Sequence, residues 1–201
     1  MSKQNFYSAT KLADFLKCRH IIYGDFFEKE KNLKKIEISK YQKIRLKKGD
    51  EHEDNYLNLL KNIYSNVIDI KTLKFPENDN YENIINLKID KTIQSMKKGF
   101  DVIRGGWLNR DDWRGEIDFL IKNNEINSNL GNYSYDVIDA KNSIKQKPEH
   151  IIQLCIYAFM LEGIQGTLPS KLQVALKDEN VYELYTDEIY ELFLNFKKEY
   201  E

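Results

Sequence analysis

Apolar residues recur at helical spacing through the first half of the chain and at strand spacing through much of the second. Ser8 or Thr10 caps a first helix in which Leu12, Phe15 and Leu16 repeat, up to about Arg19. A second helix is predicted from about Tyr41 to Ser65, with His52, Tyr56, Leu59, Leu60 and Ile63 on one face. After a loop from Phe75 to Asn80, a third helix carries Ile84, Ile85, Leu87, Ile93 and Met96 and ends at Gly99. The period then shortens. Phe100 to Leu108, Trp113 to Ile121 and Tyr133 to Lys141 read as strands, with a polar turn from Lys122 to Gly131 between the last two. Pro148 opens a helix to about Glu162, ended by Gly163 and Gly166. Lys171 to Leu176 is a fourth strand, and Ile189 to Phe196 a last helix. This order predicts an α/β protein, a small mixed central β-sheet flanked by helices with a helical N-terminal region. The expected organisation is a single domain over 1–201: helical over 1–99, sheet-containing over 100–178, and an acidic C-terminal helix over 179–201.

Composition narrows the class. The 201 residues are 41% hydrophobic and 31% charged, with three prolines and nine glycines, which excludes collagen-like and disulfide-framework chains. The longest apolar run, Ile151 to Leu161, is interrupted by Gln153 and is too short to cross a bilayer. The opening Met-Ser-Lys-Gln-Asn lacks the apolar core of a signal peptide, so a cytoplasmic protein with no membrane partner is expected. Cys18 and Cys155 form no Cys-x-x-Cys pair and are expected to be buried small hydrophobes.

The net charge of −1 excludes a purely electrostatic nucleic-acid binder. It conceals a basic block, with Lys29, Lys31, Lys34, Lys35, Lys40, Lys43, Arg45, Lys47 and Lys48 against only Glu30 and Glu37. That block reads as a phosphate-binding surface or as a solvated helix face plus a loop. The chain turns acidic from Asp178 onward.

The candidate chemistry lies on the second and third strands, at Gly115-Glu116-Ile117-Asp118 and Asp139-Ala140-Lys141. Alternation puts Asp139 and Lys141 on one side, and Ala140 on the other, where it is small enough to pack under a helix. If these strands are neighbours, Asp118 and Asp139 sit side by side and repel unless a divalent cation lies between them. Such oxygen ligands suit Mg²⁺ or Mn²⁺. Lys141 beside the ion can orient or deprotonate a water, or hold a scissile phosphate. His52 stands on an apolar helix face as a core histidine or a further metal ligand, with Glu51 and Glu53 turned about 100° away. Gln153 and Tyr157 stack at i and i+4, either to contact a phosphate or to hydrogen-bond each other. Gly105-Gly106 has no phosphate-loop sequel, and His20 and His150 have no zinc spacing.

In this order, the helical His52, the Gly-x-x-Asp of Gly115 to Asp118, the Asp-x-Lys of Asp139 to Lys141 and the Gln-x-x-x-Tyr of Gln153 to Tyr157 resemble the PD-(D/E)xK nuclease superfamily, and within it the RecB-like nucleases. The opening Tyr7 to Leu12 with Cys18-Arg19-His20 is similar to the start of a RecB-like subfamily. The resemblance spans about residues 6 to 178. It implies a restriction-endonuclease-like core and metal-dependent hydrolysis of DNA, on single strands or ends and without sequence specificity. It implies His52, Asp118, Asp139 and the Ala140 backbone carbonyl as metal ligands, Lys141 as the catalytic lysine, and Gln153 and Tyr157 as assistants. CRISPR-associated members carry four cysteines for an iron–sulfur cluster, and only Cys18 has a counterpart here, so no cluster is expected. DNA is the expected partner, with a helicase or a repair or defence protein beside it. A ribonuclease, or a binding or scaffold module that has kept the fold without cleaving, are the alternatives.

Overall fold

A computed structural model of the chain describes residues 6–31, 37–76 and 79–201. Its described residues build one six-stranded sheet in which spatial order follows chain order. The strands are β1 Val67–Asp69, β2 Val102–Arg110, β3 Trp113–Asn123, β4 Ser134–Lys141, β5 Lys171–Leu176 and β6 Val181–Tyr185. β1 and β2 pair in parallel, as do β4 and β5. The other neighbours pair antiparallel, so the sheet is mixed. Among the described residues no helix is long and apolar enough to cross a membrane.

The helices are α1 Ala9–Lys17, α2 His20–Lys31, α3 Lys40–Ile63, α4 Tyr81–Lys97, α5 Pro148–Gln165 and α6 Tyr190–Tyr200. Local chemistry sets several of their ends. The Ser8 hydroxyl accepts from Lys11 N–H at the start of α1. Ser39 and Gln42 form a reciprocal capping box for α3. Pro148 occupies the first turn of α5, and Gly166, with φ 72°, supplies the left-handed residue that ends it. Gly163 lies inside this helix rather than at its end, where a Cβ would come 2.9 Å from Arg110 Cδ. It gives the arginine room to pair with Glu162 at 2.7 Å.

α5 is buried around most of its circumference and lies in a large cluster with α1, α6 and one side of the sheet. On the other side a smaller cluster joins Tyr56, Leu57 and Leu60 of α3 to Val102, Phe119, Ile138 and Ala140. The buried face of α3 is therefore turned one position from the expected one: Leu57 replaces Leu59, and Ile63 is 72% exposed.

Three elements were not foreseen. α2 carries its apolar residues around the helix rather than in a stripe, so periodicity gives no signal there. β1 has only three residues. β6 falls inside the segment expected to be acidic helix from 179, and the helix itself starts at Tyr190. β6 is an edge strand with no buried residue, which is why it lacks the apolar alternation of the inner strands. Cys155 is buried as expected, whereas Cys18 follows the last turn of α1 in extended conformation and is exposed. Of the basic block, Lys34 and Lys35 lie outside the described residues. Lys40, Lys43, Arg45, Lys47 and Lys48 stand on the exposed first half of α3.

The pleat breaks its alternation at one place in two adjacent strands. Ile103 and Leu108, five apart, both join the large cluster, and so do Ile117 and Leu120, three apart. Odd separations on an unbroken strand point to opposite faces. Between these pairs lie Gly105, with φ 63°, and Asp118. The register is the same on both sides, Arg104 opposite Phe119 and Gly106 opposite Ile117.

Candidate active site

The ladder between β3 and β4 runs from Asn123 opposite Ser134 to Phe119 opposite Ile138 and stops there. The next pair along would be Asp118 and Asp139. Asp118 turns its side chain across the gap, and its Oδ2 accepts the Ala140 N–H at 2.8 Å. Asp139 is fully buried, and Lys141 Nζ lies 2.7 Å from its Oδ2. Beyond this ion pair, neither buried Asp139 oxygen has an aligned hydrogen-bond donor. Burial, and then the neighbouring Asp139, push the Asp118 carboxyl up to about 7. Burial likewise raises Asp139, against the opposing pull of Lys141. For Lys141, burial disfavours the charge, but Asp139 and Asp118 outweigh it and hold the side chain as an ammonium.

Gln153 and Tyr157 face this pair from α5. Gln153 Nε2 donates to the Tyr157 hydroxyl at 2.8 Å, so the two side chains meet directly. Burial, then Asp139 and Asp118, push the phenol well above its usual range. The Tyr157 ring reaches this position over Gly115, where a Cβ would come 3.3 Å from Cε1. The glycine of the Gly-x-x-Asp segment thus leaves the ring its space.

The structure does not bring His52 to the carboxylates. Its Nε2 is 3.1 Å from the Ala175 carbonyl oxygen, a bond that puts the proton on that nitrogen. It lines a separate cavity of about 310 Å³ with Tyr56, Leu176 and Lys177. Because the inward face of α3 is rotated by one residue, the helix side chain that reaches the carboxylates is Glu53. Its carboxyl is raised first by burial and then by Asp118. The buried Tyr56, Leu57 and Leu60, extended back by one turn, lead to Glu53, which was the available signal.

Two further groups had no sequence signal. Lys71, in the single turn after β1, sets its Nζ 2.5 Å from Glu53 Oε2 and 3.3 Å from Glu116 Oε1. Arg104 on β2 is nearly buried and joins Asp54 of α3 at 2.5 Å to Asp69 of β1 at 3.1 Å. A cavity of about 290 Å³ opens beside the cluster, lined by Tyr81, Trp107, Arg114, Gly115, Glu116 and Tyr157, and by the N-terminal segment from Phe6 to Thr10. Tyr81 is 67% exposed at its rim.

Among the described residues, no three His, Cys, Asp or Glu side chains form a ready-made metal cage. The fit of a hard divalent ion rests on two side-chain carboxylates. Asp139 offers a buried Oδ1 without a donor beside the Oδ2 that pairs with Lys141, and Asp118 is held beside it at the cost of its charge. Mg²⁺ commonly keeps several waters and takes only one or two protein carboxylates, so this donor set suits it. No family model matches the chain, and no curated protein does.

Proposed function

We propose that this protein is a divalent-metal-dependent nuclease with a restriction-endonuclease-like core of the PD-(D/E)xK type, hydrolysing phosphodiester bonds of DNA at single strands or ends. The observation that carries the reading is the opening of the β3–β4 ladder at Asp118 and Asp139, with Lys141 Nζ 2.7 Å from Asp139. A buried carboxylate, Asp139, beside a half-buried one, Asp118, with one ammonium is poorly arranged for stability alone, since desolvation works against both acids. Perturbed, mutually coupled groups of this kind cluster at functional sites.

Asp118 and Asp139 would hold a Mg²⁺ or Mn²⁺ ion, with the Ala140 carbonyl as a further oxygen of the same strand. When bound, the ion supplies Lewis acidity to the phosphate and lowers the pKa of a bound water. Lys141, kept charged by its neighbours, stabilises negative charge as it grows on the phosphate oxygens and orients the attacking water. The Tyr157 hydroxyl accepts from Gln153, which leaves its own proton free to orient toward an oxygen in the site. The adjoining cavity, with Tyr81 and Trp107 among its walls, has the size and aromatic character to take an unpaired base. A paired base in a duplex could not enter it, which favours single strands and frayed ends.

The test is cleavage of end-labelled single-stranded DNA, linear duplex, closed circular DNA and RNA with Mg²⁺, Mn²⁺ or EDTA, beside the Lys141→Ala protein. Metal-dependent loss of the DNA strand by the wild type alone is the expected result. Cleavage that survives in Lys141→Ala or in EDTA removes the site assignment. Binding of DNA without cleavage under any metal turns the reading to a non-catalytic module.

A further inference from the structure

The first half of α3, from Lys40 to Lys48, is helix in which every residue is exposed, and it carries five cations and no acid. It stands in a chain whose net charge is −1. Its charges work against a helix standing alone in water. The opening turn has no acidic residue, and Lys40 and Lys43 lie at the end where the helix dipole is already positive. Lys40 and Lys43, Lys43 and Lys47, and Arg45 and Lys48 are three or four apart, where like charges meet and repel. Of the five, Lys47 alone has an ion pair among the described residues, with Glu51 at 3.6 Å. Local chemistry keeps the segment helical. The Ser39–Gln42 capping box closes its start, and Tyr56, Leu57 and Leu60 anchor the other end of α3 in the smaller apolar cluster.

The helical period sorts these cations into two rows, Lys40, Lys43 and Lys47 in one and Arg45 and Lys48 in the other. An anionic partner laid along them would relieve the repulsion that the chain itself leaves uncompensated. The exposed Tyr41, Ile44 and Leu46 are separated by cations and make no stripe along one face, so the segment is not built to lie in a lipid surface. By the helical rise the cations extend over about 12 Å, the length of three to four phosphates of one stacked strand at about 3.4 Å each. The same helix carries Glu53 into the candidate site. Lys48 stands about 7.5 Å from Glu53 along the axis, and Lys40 about 20 Å. We propose that this half of α3 is an arm for the phosphate backbone of the substrate strand, holding the part that lies outside the site. The inference rests on the nuclease reading for the identity of that partner. The arm reads charge, so its contribution is the same for every base sequence and grows weaker with salt.

The experiment follows binding of a fluorescent single strand of about 30 nucleotides to the full chain, by anisotropy in EDTA over a range of NaCl concentrations, with thermal melts to verify folding. Lys43→Gln, Arg45→Gln and Lys48→Gln combined, all at exposed positions, should weaken binding tenfold or more at about 0.1 M salt. They should also make the fall of log K with log salt shallower by about 2, three contacts at about 0.7 each. Lys43→Arg with Lys48→Arg should keep the wild-type slope. Lys97→Gln, Lys98→Gln and Lys198→Gln combined remove as much charge from exposed positions on other helices, and should keep it too. An unchanged slope in the α3 variant, an equal loss in the second triple variant, or no binding by the wild type overturns the inference. So does a wild type that binds phosphatidylserine vesicles through these residues while its DNA slope does not depend on them, which makes the partner a lipid surface. A wild type that binds with the expected slope and cleaves nothing under any metal overturns the nuclease reading and leaves the arm as a nucleic-acid contact.

Discussion

Asp118 completes with its side chain the hydrogen bonding that the backbone of β3 abandons: its Oδ2 takes the Ala140 N–H at 2.8 Å, one residue beyond the last paired position of the ladder. The carboxylate therefore has a structural task as well as the proposed chemical one, and the two are separable. Asp118→Ala leaves the Ala140 N–H without that partner and should lose about 1–3 kcal/mol of stability. Asp118→Asn keeps an acceptor oxygen, sheds a half-buried charge that repels Asp139, and should be at least as stable as the wild type. Both should lose cleavage. Denaturant melts read with the cleavage assay check this, and an active Asp118→Asn would disconnect the carboxylate from the chemistry.

His150 gives the protein a stability that depends on pH. Burial, followed by the Lys141 charge, pushes its pKa down to about 4 from an ordinary 6.5. Between these values the unfolded chain binds more protons than the folded one. Stability is therefore fully present above about pH 6.5 and is lost as pH falls toward 4, by roughly 2–3 kcal/mol from this residue. Asp118, raised to about 7, contributes the opposite slope over the same window, so the readout is the difference between proteins: on lowering the pH from 6.5 to 4, His150→Gln should lose less stability than the wild type, or gain more. An equal change in the two proteins would show that His150 titrates normally.

Tyr81 stands exposed at the mouth of the cavity next to Glu116 and Tyr157. Stacking on an unpaired base contributes about 1–3 kcal/mol. Tyr81→Ala should therefore raise KM for single-stranded DNA about tenfold or more with little change in kcat, and Tyr81→Phe should restore it. A fall in kcat with unchanged KM would place the ring outside the substrate path.

Gly105 is required by conformation and by space. Its φ of 63° lies in the left-handed region, and an added Cβ would collide with the Lys71 stem at 2.4 Å. Gly105→Ala should cost at least about 1–2 kcal/mol from the backbone alone. Gly49, where a Cβ meets nothing within 4 Å in the middle of α3, is the control. Gly49→Ala should stabilise the helix by about 0.5–1 kcal/mol. Equal effects at the two positions in thermal melts would remove the argument.

The legible part of this site lies where sequence separation is small and the elements are regular. Asp139 and Lys141 share a strand face, Gln153 and Tyr157 share a helix face, and both relations follow from the period of one element. The strands and α5 are strongly apolar, and their patterns locate them to within a few residues. Glu53 was hidden because a rotation of one position on α3 exchanges it with His52, and the helix carries enough apolar residues to support either face. Lys71 was hidden for a different reason. It enters from a three-residue turn that has no period, and the room for its stem is made by Gly105, 34 residues later in the chain. Pairings of that kind are properties of the assembled sheet.

Strand order that follows chain order has a kinetic consequence. Asp118 and Ala140 are joined across 22 residues by the β3–β4 hairpin, whereas Glu53 and Lys71 join this pair only after the parallel β1–β2 crossover brings α3 and its turn alongside. Closing the short loop loses less chain entropy than closing the long one. Asp118, Asp139 and the Lys141 that pairs with Asp139 lie on this one hairpin and are thus expected to assemble first, so that the ammonium is already beside the two acids when Glu53 and Lys71 dock. Removing that charge in Lys141→Met should accordingly slow refolding at neutral pH more than in mildly acid solution, where the acids are protonated.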